Sequence, residues 1–449
     1  LAQLHDENSP QFINYKTLYH VLEKFLADQR TGGLLDERTN FFDTKIWNAL
    51  FDFQKDGVKG AINKILTHNG CIIADSVGLG KTFEALAVIK YFELLNQNVL
   101  VLCPKKLREN WTIYQASNPT DLNLFREDRF FYSVLCHTDL SRDGGKSGDI
   151  DLSTINWGNF GLVVIDESHN FRNNTKGKKD EEGNLIRVSR YERLLQDIIK
   201  SGMKTKVLML TATPVNNNLR DLRNQIYFIT EGHDTSFHDS LRIRSIADTL
   251  KNAQTVFTHW SKQRSRDVRH LLEKLDSSFF KLLDELTIAR SRRHIQKYYK
   301  ESIHKVGEFP VREKPVSVYP LIDLENEFIS YDQLNREIHN YKLSLFNPSA
   351  YVLDEFKGLY EDRAVKNFTQ EGREHFLIGM MKVNFLKRLE SSVSSFATSM
   401  QRTVEKIEIL EKKIADFRAN LANGRNMDFD DLQVKDTDDT ELEDTWEVG

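Results

Sequence analysis

Two short runs hold the residue types and spacings that could do chemistry. In the first, Asp75-Ser76-Val77-Gly78-Leu79-Gly80-Lys81-Thr82 follows the apolar run Cys71–Ala74 and opens the apolar-periodic stretch Phe83–Leu94. A strand, a glycine-bearing turn and a helix in that order let successive backbone N–H groups curl around a β-phosphate, with the positive end of the helix behind it. The eight residues together read as a triphosphate cradle. Gly78 and Gly80 remove Cβ atoms where backbone must approach a ligand. Lys81 is positioned to reach the β- and γ-phosphates, and the Thr82 hydroxyl to ligate Mg²⁺. The run departs from the G-x-x-x-x-G-K-S/T pattern at its first position, which here is Asp75.

In the second run, the apolar stretch Leu162-Val163-Val164-Ile165 delivers Asp166-Glu167-Ser168-His169. If this strand runs parallel to the first, Asp166 stands across from Thr82 and can hold the Mg²⁺ shell. Glu167 then faces the γ-phosphate, where it can orient and deprotonate an attacking water. A glycine turn alone can be packing, and an Asp-Glu pair alone can be a solvated strand end. Their order, spacing and strand context together favour ATP and Mg²⁺ as cofactors. His169 is read two ways, as a satisfied polar group or as part of a relay next to the acid pair.

The elements that must position these runs follow from periodicity. Cys71–Ala74, Val99–Cys103, Phe131–Cys136, Leu162–Ile165 and Val207–Leu210 are short β-rich runs, each followed by a helical stretch. That alternation predicts an α/β fold with a parallel sheet flanked by helices, since parallel strands need long crossovers. The spacing predicts an N-terminal helical or irregular segment over 1–46, with a helix at Tyr19–Leu26, and the ATP-binding domain over 47–232. Within it the polar stretch Asn173–Arg187 reads as a surface loop. Residues 233–304 lack a strand signal and read as a helical insertion ending in the basic cluster Arg290, Arg292, Arg293, His294 and Lys297. An extended connector around Phe309–Leu321 and a long helical hairpin fill 305–427. There Leu386, Leu389, Val393, Phe396, Met400, Thr403, Ile407, Leu410, Ile414, Phe417 and Leu421 step by threes and fours as one unbroken seam. The acidic stretch 428–449 reads as a linker or tail.

Lysine plus arginine total 62 against 66 acids, so any hold on a polyanion must come from local patches. No apolar run approaches the length that spans a bilayer as a helix, and no membrane partner is expected. Cys71, Cys103 and Cys136 sit in or beside apolar runs without a CxxC partner and read as core thiols of a reducing, cytoplasmic compartment. The chain begins with Leu1 and shows no leader-like segment, from which we expect a piece of a longer polypeptide.

With both sites in hand, the sequence resembles the Snf-type DNA translocases, the chromatin-remodeller-like branch of helicase superfamily two, including its bacterial members. The likeness is strong over about Leu50–Leu222 and weaker to about Glu327. It implies a RecA-like P-loop NTPase lobe with added helical domains. Leu50–Val58 resembles the family's adenine-reading motif, which would make Gln54 the adenine contact. Asp75–Thr82 resembles its Asp-Glu-x-Gly-Leu-Gly-Lys-Thr loop, with Ser76 replacing the acid. Val99–Leu107 with Asn110-Trp111 resembles a strand and loop touching the nucleic-acid backbone, which implicates Pro104, Lys105 and Lys106. Thr211-Ala212-Thr213-Pro214, with Asn217 downstream, resembles the motif coupling ATP state to DNA contact, in which His169 would share. Arg292-Arg293 resembles the double arginine that closes the lobe, and Phe309–Lys314 the lead toward a second lobe. His137-Thr138 is assigned a further DNA-contact position.

The resemblance implies a motor acting on duplex DNA in the bacterial cytoplasm, with a second lobe C-terminal to this chain and a nuclease module N-terminal to it or in complex. In this family the second lobe supplies arginines to the γ-phosphate, and no Gln-x-x-x-x-Arg-x-x-Arg pattern follows residue 300. The chain is therefore expected to bind ATP and hydrolyse it weakly. Two alternatives stay open: an RNA helicase or restriction-type motor subunit with the same nucleotide chemistry, and a nucleotide-gated scaffold without translocation.

Overall fold

A computed structural model describes residues 39–422 apart from 119, 175–177, 180–184, 202–203, 216–217, 264–266, 300–306, 308, 311–313, 315, 318–328 and 354–369. The expected helix at Tyr19–Leu26, most of the extended connector and the acidic stretch lie outside the described residues. The chain divides between residues 311 and 312 into two compact units.

In the first unit six strands form one sheet: β1 (Gly70–Ile73), β2 (Val99–Cys103), β3 (Ser133–Cys136), β4 (Leu162–Asp166), β5 (Lys206–Leu210) and β6 (Thr287–Ile288). Their spatial order is β6-β1-β5-β4-β2-β3, and every neighbouring pair is parallel. The strands are continuous runs of Val, Ile and Leu because both faces of the sheet are covered. On one face Cys71, Ile73, Val101, Cys103, Val164, Leu208 and Leu210 pack with Val58, Ile62 and Ile65 of α1 (Asp52–His68) and with Leu86 and Ile89 of α2 (Lys81–Leu94). On the other, Leu100, Leu102, Val163, Ile165, Val207 and Met209 pack under α3 (Leu219–Ile229), α4 (Ile246–Ser261) and α5 (Ser277–Leu286). All three cysteines are buried and unpaired.

Local chemistry sets the helix ends. Asn69 closes α1 in the left-handed conformation at φ 68°, which Asn tolerates better than branched residues. The side chains of Asn218, Ser245 and Asp276 accept backbone N–H groups at the starts of α3, α4 and α5. Helix α2 is apolar nearly all round, as a helix enclosed in a core must be.

Two expectations about the elements of the first unit need correction. The stretch 233–304 is mostly helical but contains β6, whose two residues are too few for any periodicity to reveal. Its helices also share the main core through Ile246, Leu250, Leu271 and Leu282. The loop Asn173–Arg187 contains a small antiparallel pairing of Lys178–Lys179 with Leu185–Arg187.

The second unit holds α7 (Tyr331–Asn340), α8 (Gln370–Ser391) and α9 (Val393–Ala422), numbered after α6 (Arg292–Tyr298) of the first unit. The seam expected to run unbroken from Leu386 to Leu421 is interrupted at Ser392. There the Ser392 hydroxyl accepts the backbone N–H of Ser395 at 3.4 Å, a local bond that competes with continued helix. Helix α9 folds back on α8: Arg388 Nη1 donates to Ser399 Oγ at 2.8 Å, and Phe385 shares a small core with Phe396 and Met400.

The shared core of the first unit gives a direct expectation. Leu282→Ala should cost about 2–5 kcal/mol and should speed hydrogen exchange at the β1 amides, because Leu282 and Ile72 belong to one cluster. Unchanged β1 protection in that variant would mean that α5 stands apart from the sheet.

Candidate nucleotide-binding site

The loop from β1 to α2 turns through Gly78 (φ 81°) and Gly80 (φ 83°), conformations that glycine adopts without strain. At Gly80 a Cβ would also come 2.4 Å from the side-chain amide nitrogen of Gln54 and would displace it from its seat. Helix α2 begins at Lys81, whose Nζ donates to the carbonyl of Asp75 at 2.8 Å and closes the loop upon itself. Thr82 lies half-buried in the first helical turn, and Val77 projects from the loop into solvent. Gln54 is buried against the same loop: its Oε1 accepts Phe51 N–H and its Nε2 donates to the Leu79 carbonyl, both at 3.0 Å.

Asp75 does not offer its carboxylate to a ligand. It is fully buried and receives the backbone N–H of Arg290 at 2.8 Å, the Nε of the same arginine at 3.0 Å, and its Nη2. Any part Asp75 takes in a phosphate cradle is therefore confined to its backbone. Arg290 Nη2 also pairs with Glu84 on α2, and Nη1 donates to the Phe53 carbonyl. The second oxygen of Glu84 is buried with no hydrogen-bond partner among the described residues. Burial, only partly offset by Arg290, pushes the Glu84 carboxyl up to about 8.

Across the sheet, Asp166 ends β4. One oxygen accepts Trp111 Nε1 at 2.9 Å and the other accepts the Glu167 N–H at 3.0 Å. Burial raises its carboxyl above the ordinary range, against the Trp111 bond and the Lys81 charge. Glu167 occupies the left-handed region at φ 49°, which a non-glycine residue adopts only under local constraint. The hydrogen bond from His169, at 3.2 Å from Nδ1 to Oε2, holds the Glu167 carboxyl below its usual range, and Lys81 acts in the same direction. The His169 Nδ1 also lies 3.4 Å from Thr211 Oγ1. Since β5 stands between β1 and β4, the loop after it, starting at Thr211, falls between the two motifs.

The remaining sequence-derived positions scatter around this edge. Pro104, Lys105 and Lys106 follow β2, with both lysines exposed. Thr211 is buried, Thr213 is exposed, and Asn217 lies outside the described residues. The two arginines of α6 differ. Arg292 donates to the Val77 carbonyl at 3.2 Å and covers the Phe309 ring at 5.7 Å, whereas Arg293 points to solvent. His137 corrects an expectation. It is buried with its ring edge-on to Phe171 at 4.9 Å, and burial holds it neutral, with a pKa down at about 3. Such a ring is not a DNA contact. Sequence reasoning missed three residues: Trp111 as partner of Asp166, and Arg290 with Glu84 behind the loop. The signals were an acid where the pattern has glycine and an acid, Glu84, set among apolar residues in the first turn of a buried helix, both of which call for a buried cation.

Known proteins resemble part of this chain. The model of the SNF2-related domain matches residues 25–116, a stretch that includes Gln54, the P-loop, Lys105 and Lys106. Over that stretch the chain is similar to the SNF2-related domain. Among its relatives are the mouse DNA annealing helicase and endonuclease ZRANB3, 28% identical over 201 residues, which are 42% of this chain and 16% of that protein. The SWI/SNF-related matrix-associated actin-dependent regulator of chromatin subfamily A-like protein 1 of Xenopus laevis is 26% identical over 202 residues, 44% of this chain and 19% of the relative. ATP-dependent helicase FUN30 of Saccharomyces cerevisiae is 27% identical over 200 residues, 40% and 16% respectively. The chain thus spans less than a fifth of the length of these relatives. The Sulfolobus solfataricus SWI2/SNF2 ATPase core in complex with dsDNA is 17% identical, with 87% of this chain and 70% of that chain covered at a TM-score of 0.35. The matched stretch includes Lys81 and Thr82 but stops before Asp166 and Glu167, which the sheet order brings to the same edge.

Two expectations follow. In His169→Asn the lost imidazole bond should let the Glu167 carboxyl rise, visible in a carbon-detected NMR titration of the ligand-free protein; an unmoved Glu167 would remove His169 from this role. Glu84 is held above its ordinary value of 4.5, so its cost is absent below that pH, grows as pH rises toward about 8, and is constant above it. Glu84→Gln should therefore raise Tm relative to wild type at pH 9, with the advantage vanishing by pH 4.5.

Proposed function

We propose that this chain is the ATP-binding lobe of a motor that moves along duplex DNA. The observation that carries the reading is a glycine loop and an acid pair at one edge of a parallel sheet: Lys81 opens α2 after β1, and Asp166 ends β4 with Glu167 next after it, with β5 alone between the two strands. The backbone N–H groups of Gly78–Thr82 and the ammonium of Lys81 hold the β- and γ-phosphates, with Lys81 leaving the Asp75 carbonyl to do so. Gln54 faces the adenine from its seat beside Leu79.

The Thr82 hydroxyl and the Asp166 carboxylate are oxygen donors of the kind that Mg²⁺ takes, and each Asp166 oxygen is already oriented by one hydrogen bond. A divalent ion bound by these two residues would supply neutralising charge to the phosphates. Glu167, kept ionised at neutral pH, accepts a proton from water as its oxygen bonds the γ-phosphorus and the bond to the bridging oxygen breaks. His169 joins that base to Thr211, so the protonation and contacts of the base are felt by the loop carrying Thr213.

Lys105, Lys106 and Thr213 are suited to contact phosphates of the nucleic acid. Duplex DNA as partner is supported by the relatives, whose names describe DNA annealing and ATP-dependent helicases. The reading includes arginines reaching the γ-phosphate from a second lobe, without which turnover by this chain is slow. A nuclease partner belongs to the same reading, as the ZRANB3 name joins both activities.

The test is nucleotide binding and turnover with this chain. A fluorescent ATP analogue with Mg²⁺ should bind wild type and Glu167→Gln alike, while Lys81→Ala binds it at least tenfold more weakly. Glu167→Gln should lower the slow residual turnover by roughly 10²–10⁴-fold, the range for a general base. Turnover that survives this substitution removes Glu167 as the base, and stimulation by single-stranded RNA in place of duplex DNA makes the motor an RNA helicase.

A further inference from the structure

We propose that Arg290 is a positioning residue for the nucleotide site, holding the P-loop in its phosphate-binding curl through Asp75. The inference rests on the nucleotide reading above and adds to it a residue 215 positions away from the loop it sets.

The start of the loop is joined residue by residue to the segment that leaves β6. Ala74 N–H donates to the Ile288 carbonyl at 2.7 Å, and Ser76 N–H to the Arg290 carbonyl at 3.0 Å. Between them the Asp75 carboxylate takes the backbone N–H and the guanidinium of Arg290, and the Val77 carbonyl takes Arg292 Nη2 at 3.2 Å. Four consecutive loop residues thus find partners within 288–292. The same Asp75 whose carboxylate is locked by Arg290 presents its carbonyl to Lys81 at 2.8 Å. A shift of Asp75 therefore moves the seat of the ammonium that must meet the phosphates.

The guanidinium is built in. Gly57 of α1 leaves room for it, since a Cβ there would lie 2.6 Å from both terminal nitrogens. Its plane also reaches the Phe53 carbonyl at the foot of the helix carrying Gln54, and Glu84 one turn into α2. One planar fork touches the start of the loop, the helix that follows it and the helix carrying the adenine contact. Lysine keeps the charge but has no fork to make these bonds together.

The experiment measures affinity for the fluorescent ATP analogue with Mg²⁺ in the full chain, at a temperature where every variant is folded by circular dichroism. Arg290→Lys and Asp75→Asn should each weaken binding at least tenfold. Leu282→Ala, which lowers stability in the same unit without touching the loop, should bind within twofold of wild type. Should Arg290→Lys fail to fold, Asp75→Asn carries the test alone, since it keeps the side chain's shape and the acceptor for the Arg290 N–H. Binding by both variants within twofold of wild type overturns the proposal, as does equal weakening in Leu282→Ala, which would make the effect one of stability. If wild type and Lys81→Ala bind the analogue equally, the nucleotide reading falls and this proposal with it. If they differ while Arg290→Lys and Asp75→Asn both match wild type, only this proposal falls.

Discussion

A parallel sheet allows its strands one direction, and that constraint governs everything else in the first unit. Each of the six strands ends at the same edge, so each crossover must carry the chain back across a face before the next strand can begin. The loops after β1, β2, β4, β5 and β6 consequently open beside one another, although their residues lie far apart in the chain. The crossovers cover both faces with helices, which is why the strands are apolar throughout and why the polar residues at their ends stand out. Lys81, Asp166, Thr211 and Arg290 are neighbours because four strands stop at one line.

At that edge, burial separates groups that would otherwise titrate alike. Asp166 and Glu167 are adjacent acids, yet the first is pushed up by desolvation and the second pulled down by His169. Two adjacent carboxyl groups thereby gain different characters, one seated among fixed donors and the other a partly exposed group held toward its ionised form. Behind the loop the arrangement is reversed, with two acids, Asp75 and Glu84, sharing one guanidinium. Asp75 makes most of the bonds and Glu84 is left with one bare oxygen, so the protonation of the cluster falls on Glu84.

The sequence revealed what is local. Five strands were legible as apolar runs of four to six residues, and the glycine turn and acid pair carry their own spacing. Pairings over long separations were not legible. Nothing near Asp75 says that its partner is Arg290, which looks like one member of a basic cluster. β6 is too short for a period, and it became a strand only because β1 offered an open edge. His137 reads as surface chemistry in a row of letters, while its place under Phe171 is a property of packing. The seam in the second unit kept its period through Ser392 because periodicity records which face is apolar and is blind to where the axis bends.

The zipper between β1 and the segment after β6 also has a consequence for synthesis. The outer edge of β1, and the loop that follows it, stay without their partners until Thr287–Arg290 have been made, 215 residues later. At roughly 5–20 residues per second this interval is about 10–40 s. Throughout it the nascent chain exposes an apolar strand edge of the kind that pairs with other chains. The nucleotide loop is thus among the last parts of this unit to be completed on the ribosome, despite lying near its beginning.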